Sequence, residues 1–208
     1  MRRGCDASLM GYHTARARDY AAVLLGHSTS ALAALTLAEV ANGRGFSVPG
    51  QVNDGLQTMC EYDASTGQET ARLTFPVYYP LREVLKNELL GYMDLIPVLE
   101  EMKTEKLVEG VAGSTTVVSH RDVSIEEVMQ RYFDGVEGPY SGIVANVVRT
   151  TGKLERVGGS AYCRLCGMTL DGSGDDRWAG DLGRDSGDSA SENHRGKLCY
   201  GCRRSVSG

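Results

Sequence analysis

The chain has 208 residues, 41% of them hydrophobic and 24% charged, with a formal net charge of −5. That length supports one sizeable domain plus an appendage, burying roughly 70% of the surface the unfolded chain exposes. The acidic balance excludes a protein that coats nucleic acid through its overall field, so an RNA contact must come from a local basic cluster or from a partner.

Residues 1–20, MRRGCDASLMGYHTARARDY, carry charge but no apolar core, so they do not read as a secretory signal. No apolar run approaches the ~18 residues of a membrane span. The expected compartment is the cytosol or nucleus, with no membrane contact.

Tyr12–Tyr20 reads as a helix leading into Ala21–Leu25, an apolar run closed by Gly26 that suits a strand buried on both faces of a parallel sheet. Ser28 or Thr29 can cap the next helix, and Asn42-Gly43 supplies its stop. Residues 31–40 are apolar almost all round, so that helix must be covered on more than one side. The loop Gly26-His27-Ser28 falls where parallel sheets place ligands, at a strand's carboxyl end and a helix's amino end. His27 there reads either as a buried residue closing a strand end or as a phosphate-facing or interface group. A chain that begins mid-pattern predicts that the strands beside Val23 are missing or come from another chain, leaving an exposed edge.

Residues 48–70 read as loop, with a turn at Asn53-Asp54-Gly55. Leu73–Tyr79 is β-branched and aromatic, hence a strand, with Pro76 placing it at an edge or bend. Pro80 suits the first turn of a helix along which Leu81, Val84, Leu85, Leu89 and Tyr92 recur. Ser124 and Glu127 form a capping box for a helix with Val128, Met129, Tyr132 and Phe133 on its apolar face. Gly135–Gly142 should break it, and Ile143–Thr150 reads as one more short helix.

From Gly158 the composition shifts to Gly, Asp, Ser and Arg, which divides the chain into 1–157 and 158–208. Four of the six cysteines lie in two CxxC pairs of the second part, Cys163/Cys166 and Cys199/Cys202, while Cys5 and Cys60 stand alone and read as incidental or buried thiols. Two CxxC turns bring four thiolates to the corners of a tetrahedron, the arrangement of structural zinc. Redox CxxC pairs fit less well because two occur together; an iron–sulfur cluster also accepts four thiolates. The segment between the pairs exceeds the usual ~15–20 residues of a zinc ribbon. Its excess, around 171–196, reads as a disordered insertion. Doubling a loop costs only about 0.6 kcal/mol. His194 reads as a solvated loop histidine or as a replacement for one ligand. Four protein ligands leave no open position, so the site reads as structural. Arg164, Lys197, Arg203 and Arg204 surround the knuckles as phosphate contacts or as solubilising charge.

The runs LLGHSTSALAALTLAEVANGRG, VYYPLREVLKNELLGY, SIEEVMQRYFDGVEGPYSGIVANVVRTTGKL and CRLCG…LCYGC together resemble the cytoplasmic tRNA 2-thiolation protein 2 family. The resemblance implies an α/β fold of the PP-loop ATPase-like, adenine nucleotide alpha hydrolase-like kind, here its C-terminal part. It implies a homologous catalytic PP-loop tRNA thiolase as partner. It also implies sulfur delivered as the thiocarboxylate of a ubiquitin-related modifier to the wobble uridine of tRNAs for Lys, Glu and Gln. The chain departs from active members. It has no SGGxxS phosphate loop, and Ser30-Ala31 and Ala34-Leu35 stand where a GHxxDDxxET pattern carries acidic groups that hold Mg²⁺. His27 and Ser28 are what is left of that motif for cofactor binding. No cysteine lies near Gly26 in sequence as a sulfur carrier, although Cys60 could approach in the fold. The expectation is a non-catalytic, zinc-containing subunit that does not itself bind ATP. Two rivals remain: an active nucleotide-dependent tRNA sulfurtransferase, separated by ATP binding, and a zinc-ribbon interaction module unrelated to tRNA, separated by the effect of deletion on thiolation.

Overall fold

A computed structural model describes residues 4–63, 66, 68–100, 124–156, 161–170, 198, 199, 201 and 202. Six α-helices, a 3₁₀ turn (Gly45–Ser47) and three strands are described: α1 (Gly4–Ala17), β1 (Val23–Leu24), α2 (Thr29–Ala41), α3 (Val48–Val52), β2 (Gly55–Tyr62), β3 (Glu69–Tyr78), α4 (Lys86–Leu95), α5 (Pro97–Glu100) and α6 (Ile125–Gly152). Among the described residues no helix is long and apolar enough to cross a membrane.

The sheet is mixed, in the order β1-β3-β2. β1 runs parallel to β3 through Val23↔Val77 and Leu24↔Tyr78. β2 pairs antiparallel to β3 from Gly55↔Val77 to Tyr62↔Glu69. The expected parallel sheet is therefore parallel on one side only, because residues 55–62, expected as loop, form a hairpin strand. β1 is an edge strand, not one buried on both faces: β3 is its only neighbour among the described residues, and Leu24 is 67% exposed. Pro76 lies opposite Leu56, one residue before β1 joins at Val77, so β3 is still flanked by β2 alone at that point. A missing N–H is tolerated there.

Ser28 caps α2 as its sequence suggests: extended backbone turns its Oγ to accept the Ala31 N–H at 3.3 Å. Asn42 closes the helix, and Gly43 follows at φ 71°, a conformation that favours glycine. α1 ends before Tyr20 because the chain turns at Asp19, whose φ is 54°. α4 starts at Lys86 rather than near Pro80. Residues 80–84 form turns whose Arg82 and Val84 carbonyls accept from the Thr29 hydroxyl (2.8 Å) and the Thr29 N–H (2.9 Å). A helix through that stretch would withdraw those carbonyls from α2.

α6 lies along α2, and the two bury Leu32, Ala33, Phe133, Val144 and Val148 in one cluster with Val48, Val52, Met59 and Val77. Burial of each large apolar side chain contributes about 1.5–3 kcal/mol. The expected break at Gly135–Gly142 is a kink. Pro139 removes one backbone donor, Tyr140 leaves helical geometry at φ −138°, ψ 49°, and the helix resumes over the residues expected as a separate short helix. Ser124 makes its half of the predicted box, accepting the Glu127 N–H at 3.2 Å, while the Glu127 carboxylate accepts from Arg131 at 2.6 Å.

Candidate metal centre and the amino end of α2

Residues 161–170 form a knuckle. Tyr162 bridges to Thr169, Cys163 N–H donates to the Met168 carbonyl at 2.7 Å, and Gly167 N–H donates to the Cys163 carbonyl at 2.8 Å. Gly167 sits at φ 71°, and a Cβ there would stand 3.0 Å from the Cys60 carbonyl oxygen, so the turn requires glycine twice over. Cys199 and Cys202 come from the second CxxC. Four sulfurs, of Cys163, Cys166, Cys199 and Cys202, lie within 4.8 Å of one another, and all four residues are buried.

Cys166 and Cys199 sulfurs are 3.9 Å apart. A disulfide would hold them at about 2.0 Å. A single ion with about 2.3 Å metal–sulfur bonds spaces tetrahedral corners by about 3.8 Å. The donor set therefore fits one tetrahedrally held metal ion. Cys199 N–H already donates to the Cys163 sulfur at 3.3 Å, a contact that favours the thiolate. Hydrogen bonds among the sulfurs, that from Cys166 first, hold Cys163 below the ordinary thiol range, and its hydrogen bond to Cys163 holds Cys202 above it. A bound cation would deprotonate all four. Cys60, in β2, is buried and its thiol is pushed up by that burial.

The knuckles rest on the α/β elements. Cys60 N–H donates to the Gly167 carbonyl at 3.3 Å, and Tyr62 Oη donates to the Tyr162 carbonyl at 3.0 Å. The Arg72 guanidinium lies 5.0 Å above the Tyr162 ring. Gly201 abuts the carboxyl end of α2 so closely that a Cβ would stand 2.7 Å from the Asn42 carbonyl oxygen. The four cysteines belong to the same buried cluster as Leu32 and Val77. Arg164 Nε is buried without a hydrogen bond. The 171–196 insertion with His194, and Lys197, Arg203 and Arg204, lie outside the described residues, as does the side chain of Cys5.

At the other end of α2, Ser28 Oγ and Thr29 N–H are engaged as described above. The His27 ring packs edge-on against Tyr79 at 5.7 Å between centroids, its Nδ1 is buried without a partner, and burial lowers its pKa below the ordinary 6.5. Ser30 Oγ donates to the Glu137 carboxylate. That carboxylate also accepts the Asn87 N–H at 2.6 Å, while Lys86 N–H reaches Ser30 Oγ at 3.4 Å. Glu137 is 2% exposed. It serves as a cap for α4 supplied from another helix, which the positive amino end of α4 favours. Nothing local in the sequence distinguishes it from a solvated helix glutamate. Cys60 does not approach this loop: it pairs with Arg72, six residues along β3 from the Tyr78 that pairs with Leu24. Six residues of strand span about 20 Å.

A sequence model of the family described as "Cytoplasmic tRNA 2-thiolation protein 2" matches residues 124–204, from the cap of α6 through both knuckles. Proteins of that name are similar along most of the chain. The one from Phaeosphaeria nodorum is 41% identical over 88% of this chain and 45% of its own length. Those from Pyrenophora tritici-repentis (38% identical, 88% and 45%) and Ajellomyces capsulatus (33% identical, 91% and 50%) agree. The chain belongs to the cytoplasmic tRNA 2-thiolation protein 2 family. It spans about half the length of these relatives. No solved structure matches it.

Proposed function

We propose that this chain is a cytoplasmic, non-catalytic subunit of the complex that 2-thiolates the wobble uridine of tRNAs for Lys, Glu and Gln. Its catalytic partner is a homologous PP-loop tRNA thiolase, and the sulfur comes from a thiocarboxylated ubiquitin-related modifier. The chain meets tRNA as part of that complex. Residues 1–157 supply a partial PP-loop-like α/β unit, and 158–208 a structural zinc module held by Cys163, Cys166, Cys199 and Cys202. When bound, the zinc supplies a fixed cross-link between the knuckles and no reactive position.

Kinship to the tRNA 2-thiolation proteins carries the reading. Its non-catalytic part rests on the amino end of α2. Where a nucleotide site needs free donors and carboxylates, Ser28, Thr29 and Ser30 are bonded to the protein's own groups, and the one buried carboxylate nearby, Glu137, is held by Ser30 and Asn87. On this reading His27 and Ser28 are remnants of a motif, not ATP ligands. The test is purification of the tagged chain from its native cells, with mass spectrometry of partners, metal analysis and ATP titration. A co-purifying PP-loop thiolase, about one zinc per chain and no ATP uptake are expected. ATP binding by the chain alone would favour an active sulfurtransferase, and zinc without that partner a free-standing interaction module.

A further inference from the structure

A cleft of about 260 Å³ opens between the 82–88 segment and the second half of α6, lined by Thr29, Arg82, Glu83, Glu88, Ser141 and Arg149 among others. Two guanidinium groups enter it from different elements. Arg149, in the last turn of α6, is exposed and makes no hydrogen bond or ion pair among the described residues, and neither does the Ser141 hydroxyl. Arg82 is 20% exposed, and its Nε is buried without a hydrogen bond. Its Nη2 leans on Asn53 Oδ1 at 3.4 Å and on the last turn of α6 at Gly152, which fixes the guanidinium in place.

The two carboxylates in the cleft do not neutralise these cations. Glu88 is engaged by the Leu85 N–H at 2.8 Å. Glu83 stands 3.8 Å from Arg82 Nε with its side chain 69% exposed, a solvated pair that contributes little. What is left is a fixed guanidinium, a free one and a free hydroxyl facing a small open cleft. Planar, forked donors of this kind match the oxygens of a phosphate. Tyr140, the chain neighbour of Ser141 at the kink, is 60% exposed, and its ring meets no other aromatic ring among the described residues. An exposed ring on the same helix as the cleft suits a single strand, whose bases stack while its backbone is held.

We propose that Arg82, Arg149 and Ser141 form a phosphodiester-binding site for an RNA strand. This rests on the tRNA reading above and places the RNA contact in the cleft along the second half of α6, which none of the four cysteines lines. Specificity is not built in here: such a contact positions a backbone and reads no base.

The test measures binding of labelled tRNA to the purified full chain against salt concentration. Arg149→Ala should weaken binding about tenfold and lower the salt slope by about one. Arg131→Ala removes the same charge from elsewhere on α6, where Arg131 is paired with Glu127, and should change binding less than twofold. Glu83→Gln should tighten binding, an effect that mere loss of structure would not give. Equal losses in the two arginine variants, weaker binding in Glu83→Gln, or no tRNA binding by the unmodified chain would each overturn the site. Arg149-dependent binding of ATP without binding of tRNA would overturn it in favour of a nucleotide. Cellular thiolation separates the two levels: if deletion of the chain abolishes thiolation and Arg149→Ala leaves it intact, the site falls and the subunit reading stands.

Discussion

The two ends of α2 are used in opposite ways. At its amino end, donors that could face a ligand are engaged by the protein: the Ala31 N–H by Ser28 Oγ, the Thr29 hydroxyl and N–H by the Arg82 and Val84 carbonyls, the Ser30 hydroxyl by Glu137. At its carboxyl end, Asn42 receives Gly201 of a knuckle whose four sulfurs lie within 4.8 Å of one another, close enough to share one ion. A site is recognised by what its atoms still lack. Polar groups paired with each other hold a fold together, whereas four clustered thiols in a buried place can hold a cation.

The contrast predicts its own ways of breaking. Largest is Cys163→Ser or Cys199→Ser, which should take metal content from about one per chain to near zero and unfold the knuckles. α2 and α6 also bury Leu32, Phe133, Val144 and Val148 in the cluster to which the cysteines belong, so helical circular dichroism should survive; its global loss would contradict the division of the chain at 157/158. Next, Phe133→Ala, at a fully buried position between those helices, should cost about 3–5 kcal/mol in chemical unfolding and leave metal content unchanged. Gly201→Ala should be milder, about 1–3 kcal/mol, because a Cβ 2.7 Å from the Asn42 carbonyl must push the second knuckle off α2. Amide exchange confined to the knuckles and the end of α2 would agree, and faster exchange at the amino end of α2 would not.

The smallest effect concerns His27. Its folded pKa lies below the ordinary 6.5, so on acidification the unfolded chain takes up a proton before the folded one does. Stability should be full above about pH 6.5 and fall as pH drops through that value toward the folded pKa. His27→Gln should flatten that part of the profile; an unchanged slope would mean that another group titrates there.

What could be read from the sequence follows the range of the interactions. The Ser28 cap, the Asn53-Asp54-Gly55 turn and the CxxC pairs are encoded within four residues and were all legible. β2 was not, because Met59 and Cys60 are neighbours and both buried: one face meets the α/β core and the other the knuckle, so no alternation survives. Glu137 was illegible for the same reason at longer range, since its partners Ser30 and Asn87 are 107 and 50 residues away. The glycines around Tyr140 suggested a break, yet a Cβ at Gly135, Gly138 or Gly142 would meet nothing within 4 Å, and the bend belongs to Pro139 and Tyr140.

The most direct test is the 2-thiouridine content of tRNAs for Lys, Glu and Gln in cells deleted for this chain, measured by mass spectrometry before and after the gene is restored. Loss on deletion, with recovery on return of the unmodified chain, is the predicted result. Undiminished thiolation in the deleted cells would contradict it.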